Sequence, residues 1–277
     1  MSWCARAALA RHRVACKRPL TQKPAWHRTG FRCSRTVPAV SHDVSQCVLA
    51  VDIGTTSLKA ILLAPDGTAL RVSTRGYKRG THAGTSGCSG AMEQDPEDWV
   101  GAFCEAARDV FEPFADDASP AGVALSGQMQ NIVLVRGGKS LRPALLYSDV
   151  RAVGEADEIR ERLGKNDARG GSIDIDAKLA NFKGAAAVLS KWKWLAKHDS
   201  ALLKKSESML LGAHSCLAYV LCGGAKDAAQ CDVTTASTTG LLRPDDFGDG
   251  DDSARWALGA CCVAPFPIPN TLFQAPL

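Results

Sequence analysis

Residues 50–60 read Ala-Val-Asp-Ile-Gly-Thr-Thr-Ser-Leu-Lys-Ala. The apolar run Val48 to Val51 leads into Asp52 and Gly54; two threonines follow, and the chain turns apolar again from Ile61 to Leu63 before Asp66-Gly67. Short apolar runs bounded by Gly and Asp read as strands joined by tight turns. Residues 47–53, 59–64 and 68–73 are therefore expected to form a three-stranded meander. Its first turn has the groups a phosphate needs. Gly54 leaves room for a ligand to approach the backbone, and Thr55, Thr56 and Ser57 offer hydroxyl and amide donors. Lys59 adds a positive charge. Asp52 ends a β-branched run, where a carboxylate is costly to bury unless it serves something. A carboxylate beside such donors is a usual means of holding a divalent cation on a phosphoryl group. A Gly-Thr-Thr turn carrying a surface Asp is the alternative that spacing alone leaves open. Neither G-x-x-x-x-G-K-[ST] nor G-x-G-x-x-G occurs here.

Further along, Arg79 to Ala91 is a Gly-, Ser- and Thr-rich loop. A helix then starts with Asp95 as N-cap, Pro96 at the first helical position and Glu97 and Asp98 in the first turn. Trp99, Phe103, Ala106 and Val110 share one face of it and are expected to lie on the sheet, with Trp99 in the core. A strand over 121–125 leads into Ser-Gly-Gln-Met-Gln-Asn at 126–131 and a second strand over 132–135. Amides both donate and accept, so Gln128 and Gln130 suit the hydroxyls of a polyol; a polar hairpin end is the other reading. Leu145 to Arg151 runs from a strand into a helix, with Asp149 and Arg151 either part of a site or a structural ion pair. Residues 179–198, with Trp192 and Trp194, and residues 209–221 read as helices, the second ended by Gly223-Gly224. At 231–242, Asp232 heads a hydroxyl-rich segment and on its own reads as an N-cap.

Charge divides the chain. The first 42 residues hold nine Lys or Arg and no acid, against 24 basic and 29 acidic residues in the remainder. A basic, acid-free leader with scattered Ala, Ser and Pro is expected to be an organelle transit peptide, chloroplast in preference to mitochondrion. The acidic body offers no basic surface for nucleic acid, and no segment approaches the ~20 apolar residues of a membrane span. The 11 Cys are scattered without a C-x-x-C pair and read as buried or incidental thiols. His198 and His214 stand alone and do not read as metal ligands.

Asp-x-Gly-Thr-Thr-Ser-x-Lys-Ala followed by an Asp-Gly turn closely resembles the first phosphate motif of the FGGY carbohydrate kinases, within the actin-like ATPase superfamily. The resemblance implies an α/β, ribonuclease H-like domain: a mixed sheet flanked by helices, spanning 43–277 after the leader. It implies ATP and Mg2+ as cofactors, with Asp52 handling the metal and γ-phosphate, and Gly54, Thr55, Thr56 and Lys59 around the phosphate chain. Glu93, Asp95, Pro96 and Trp99 match the family's Glu-x-Asp-Pro-x-x-Trp. Gln128 and Met129 keep part of a Gly-Gln-Met-His segment that looks into the sugar pocket, with Gln130 where His is expected. Tyr147-Ser148-Asp149-Val150-Arg151 is similar to Trp-Asn-Asp-x-Arg, which places Asp149 and Arg151 on the substrate side. Phe182-Lys183 stands near the family's Pro-Lys approach to a docking helix. Asp232-Val233-Thr234 resembles the start of Asp-Val-Thr-Asn-Ala-Ser-Arg-Thr, which makes Asp232 the general base, with Thr238 replacing the Arg. The implied reaction is ATP-dependent phosphorylation of a sugar or polyol, a ketopentose such as xylulose or ribulose. The family's second, adenosine-binding domain is not expected within these 277 residues. The alternatives are the sugar-binding half of a kinase whose second domain is missing here, and a catalytically inactive single-domain sugar-binding or regulatory protein; the expected partners are the sugar or polyol and either a second copy in a homodimer or that missing domain.

Overall fold

Alternation of large apolar residues at every second position drives the first sheet. Leu49, Val51 and Ile53 on one strand and Leu58, Ala60 and Leu62 on the next are buried, while the residues between them face outward. The computed structural model describes residues 43–82, 89–114, 119–163, 184–225, 228–229, 231, 235 and 239. Strands β1 (Val48–Ile53), β2 (Ser57–Leu63) and β3 (Ala69–Gly76) form the expected antiparallel meander. β5 (Gly122–Gly127) adds to the free edge of β1 in parallel, giving the order β3-β2-β1-β5. A parallel neighbour needs a crossover connection, and the segment between β3 and β5 supplies it.

Most of that crossover is α1 (Pro96–Phe111), after the short strand β4 (Glu93–Gln94). Asp95 caps the helix as its sequence signals: the carboxylate accepts from the Glu97 amide at 2.9 Å, and Pro96 begins the first turn. Trp99, Phe103, Ala106 and Val110 are buried against the sheet, each contributing on the order of 1 to 3 kcal/mol of apolar burial.

A second sheet holds β6 (Met129–Arg136) at its centre, with β7 (Lys139–Ser140), β8 (Ala144–Leu145) and β9 (Ser208–Gly212) paired to it and β4 beyond β8. Its own core packs α2 (Val153–Leu163) and α3 (Val188–His198) through Ile159, Leu189, Trp192 and Leu195. α4 (Ser200–Lys205) follows α3, and α5 (Ala213–Leu221) returns to the first core.

Three expectations change. The amide segment is not the end of a hairpin: β5 pairs with β1 and β6 belongs to the other sheet, so the single residue Gln128 carries the chain between them. The helix foreseen over 209–221 begins at Ala213, because Ser208 to Gly212 is a strand buried along its whole length and paired with β6. The apolar run Met209 to Leu211 is too short to show a period that distinguishes these states. The helix foreseen over 179–198 is described from Val188 after a 3-10 turn at Gly184–Ala186; residues 179–183, including Phe182 and Lys183, lie outside the described residues. So do the leader, Asp232 and Thr238.

Candidate active site

Two parallel strands deliver the two predicted halves of the site to one edge. β1 and β5 run in register with Asp52 beside Ser126 and Ile53 beside Gly127, so the phosphate turn and the amide segment leave the sheet side by side. In open α/β sheets the crevice outside the carboxyl ends of parallel strands is where ligands bind. The Gln128 amide extends the ladder by donating to the Ile53 carbonyl at 3.0 Å. Close approach requires Gly127: a Cβ there would lie 2.8 Å from the Ile53 carbonyl oxygen.

Asp52 is exposed on β1, directly across the ladder from exposed Lys59. The Gly54 amide donates to the Ser57 carbonyl at 3.1 Å and closes the turn, leaving Thr56 exposed and Thr55 half-buried. Three side chains brace it from beneath. The Tyr77 hydroxyl donates to the Gly54 carbonyl at 2.8 Å. Burial, then the negative charges of Asp52 and Asp98, raise the Tyr77 pKa, so the phenol remains a donor. Gln94 donates to the Thr55 carbonyl and to the Thr81 hydroxyl. The Gln128 carboxamide donates to the Gly54 carbonyl at 3.3 Å and to Gln94 Oε1 at 2.8 Å. Trp99 Nε1, in the core, donates to that same Gln94 oxygen at 3.0 Å. One relay of amides thus joins the helix, the phosphate turn and the segment expected to face the sugar. Gln128 Oε1 is buried with no partner among the described residues.

Beyond Gln128, Met129 is 37% exposed and Gln130 adopts φ 63°, the one positive φ outside glycine among the described residues. The β6 ladder is irregular between Met129 and Val133, so the strand bulges at the point where it meets the crevice. Asn131 is buried, its Oδ1 accepting from the Tyr147 amide at 2.9 Å.

Asp149 and Arg151 lie deeper. Their side chains are 0% exposed and bonded to each other: Arg151 Nη2 donates to Asp149 Oδ2 at 2.6 Å and to Glu93 Oε1 at 2.7 Å. Arg142 joins Glu93 at 2.5 Å and also pairs with Asp199, and Asp149 Oδ2 accepts from the Met92 amide at 2.8 Å. The Arg151 guanidinium sits 4.8 Å from the Trp194 ring centroid. Burial opposes its charge, but the Asp149 and Glu93 carboxylates outweigh that and hold its pKa above the ordinary value. The ion-pair alternative is therefore the arrangement found, with both side chains out of solvent's reach.

Two residues carry contacts that the sequence reading overlooked. Gln94 is the variable position of Glu-x-Asp-Pro, and Tyr77 follows β3 with no motif around it. Only their partners reveal them. Among the described residues no group of three His, Cys, Asp or Glu could enclose a metal, which leaves Asp52 as a single exposed carboxylate at the turn.

Comparison with known proteins bears on the family and the fold. The profile of the FGGY family of carbohydrate kinases, N-terminal domain, matches residues 47–245. A xylulose kinase of Streptomyces rubiginosus is 33% identical over 165 residues, which cover 59% of this chain and 31% of that protein. A glycerol kinase of Gluconobacter oxydans is 28% identical over 201 residues, 71% of this chain and 36% of its own length. Among solved structures, the xylulose kinase of Rhodospirillum rubrum superposes with a TM-score of 0.62 at 22% identity, over 83% of this chain and 43% of that one. That likeness fixes the fold as the actin-like one expected. The chain spans about a third of the length of the curated relatives it matches.

Proposed function

This chain belongs to the FGGY family of carbohydrate kinases, and we propose that it serves the ATP-dependent phosphorylation of a sugar or polyol hydroxyl, with a ketopentose such as xylulose or ribulose as acceptor. What carries the reading is the parallel pairing of β1 with β5, which sets the phosphate turn next to the amide segment at one crevice. Phosphoryl transfer is mostly positioning and charge stabilisation, and needs donor phosphate and acceptor hydroxyl held in line.

The residues at the turn fit a magnesium-bound phosphate chain: an exposed carboxylate at a strand end, a facing lysine and a glycine turn with accessible hydroxyls. Magnesium binds in this manner through one or two carboxylates together with substrate phosphates, and when bound it neutralises charge on the transferring group. In this reading Asp52 faces the metal, and Lys59, Thr55 and Thr56 orient phosphate oxygens. Tyr77, Gln94 and Gln128 keep the turn's carbonyls pointed inward, so that its donors face the crevice. Met129 and Gln130 face the sugar. Asp232, by its sequence match, accepts the proton of the attacking hydroxyl. Asp149 and Arg151 act from beneath by fixing the loop that follows β8. The adenosine would be held by the family's second domain or by a partner chain. The basic leader directs the protein to the chloroplast in the same reading.

The test is direct. The protein, incubated with ATP, magnesium and a panel of ketopentoses and polyols, is expected to yield a sugar phosphate detected by mass spectrometry. Asp232→Asn and Asp52→Asn are expected to abolish it while leaving the unfolding midpoint unchanged. Absence of both sugar phosphate and calorimetric sugar binding would refute the proposal.

A further inference from the structure

Lys191 is fully buried on α3, and its ammonium donates to two backbone carbonyls, those of Gln130 and Leu146, each at 2.8 Å. One carbonyl lies at the start of β6, within the sugar-facing segment, and the other just past the end of β8. Gln130 is also the residue held in the left-handed region, which a side-chain-bearing residue other than Asn or Asp seldom adopts without compensation. No glycine at 130 relieves this, so something else must hold it. The buried ammonium is the group in place to do so.

We propose that Lys191 is a positioning residue for the sugar-facing segment: its contact with the Gln130 carbonyl locks the left-handed turn, and thereby the direction in which Met129 and Gln130 enter the crevice. The inference rests on the kinase reading for its functional meaning, but its structural content stands separately. Two features set Lys191 apart from an ordinary core residue. A buried ammonium is costly to desolvate and survives only where its donors are used. Burial, helped by Arg151 and opposed by Asp149, pulls its pKa down to about 7. A hydrophobic residue would fill the same space without that penalty, so packing alone does not account for a lysine here.

The experiment is a double-mutant cycle between Lys191→Met and Gln130→Gly on the full chain, read by calorimetric binding of D-xylulose and D-ribulose and by the backbone chemical shifts of residue 130. Methionine keeps the volume and removes the donors; glycine adopts positive φ without a clamp. Lys191→Met alone is expected to weaken sugar binding on the order of tenfold, the effect of losing one such hydrogen bond, and to shift residue 130 out of the left-handed region. In the Gln130→Gly background the same substitution is expected to change binding little. Equal losses in both backgrounds, or a folded Lys191→Met with unaltered shifts at 130, would overturn the clamp. Should Lys191→Met fold only when combined with Gln130→Gly, the clamp is supported; failure in both backgrounds overturns it, since the lysine then serves the core at large. If the wild-type protein binds neither sugar, the kinase reading fails while the chemical shifts still decide the role of Lys191.

Discussion

Replacing Gln94 by leucine cuts the relay between core and crevice at its centre. Gln94 is 1% exposed and its carboxamide serves four partners: Trp99 Nε1 and Gln128 Nε2 on the oxygen, the Thr55 carbonyl and the Thr81 hydroxyl on the nitrogen. Leucine fills nearly the same volume, so cavity formation is small. The loss lies in the partners left behind. Trp99 Nε1, in a ring that is 0% exposed, keeps no acceptor, an orphaned buried donor worth about 1–3 kcal/mol. Gln128 retains only its longer bond to Gly54, and the Thr55 carbonyl turns to water, together about 1 kcal/mol more. Greater apolar burial returns roughly 1 kcal/mol. The net destabilisation is about 1–3 kcal/mol, read by urea unfolding as a lower midpoint at unchanged slope. Trp99→Phe removes the donor and is expected to cost about 1 kcal/mol alone but little in the Gln94→Leu background, because the group that suffered is gone. A Gln94→Leu chain within about 0.5 kcal/mol of wild type, or strict additivity of the two substitutions, would refute the relay.

Arg151→Met leaves the Asp149 and Glu93 carboxylates facing each other in the core and is expected to destabilise by about 3–5 kcal/mol in chemical denaturation. Gly127→Ala forces a methyl against the Ile53 carbonyl, where backbone cannot yield, and should cost roughly 1–3 kcal/mol, with hydrogen exchange accelerated across β1 and β5. Lys191 gives stability a pH dependence. With its folded pKa near 7 against an ordinary 10.5, the unfolded chain holds a proton that the folded chain lacks between those values. Stability therefore rises with pH through that window by roughly 1 kcal/mol per unit, is complete above it, and is gone below pH 7. Lys191→Met should flatten the rise relative to wild type, measured as unfolding free energy from pH 6 to 10, roughly the span of that titration; an unchanged slope would place the charge elsewhere.

The parts of the fold that sequence made legible are those that local chemistry decides. The β1–β2 hairpin follows from strict alternation around a Gly-Thr-Thr turn, and α1 from Asp95, Pro96 and the spacing of Trp99 and Phe103. Long-range pairing is less legible. That β5 would join β1 and β6 a separate sheet depends on partners 70 or more residues away in the chain, and the apolar run before Ala213 could be read with either period. At the site, the turn and the Gln128–Gln130 segment were visible by residue type, and so was the choice between site and ion pair for Asp149 and Arg151. What decided that choice was Glu93, which completes the buried charge cluster from another strand. Lys191 was hidden among four lysines of a Trp-rich stretch, where only the direction of its side chain distinguishes it.

The pairing of β1 with β5 acts as a fixed ruler. Neighbouring strands lie about 4.8 Å apart and a ladder admits only whole-residue slips, the smallest of which would turn every side chain to the opposite face. The gap between phosphate turn and amide segment therefore cannot be tuned gradually. Accommodation of a longer or shorter acceptor must be made past the last rung, at Met129 and Gln130, where the strand bulges and the ladder no longer dictates spacing. In the proposed kinase reading, such a division lets acceptor preference drift while the geometry of transfer stays put.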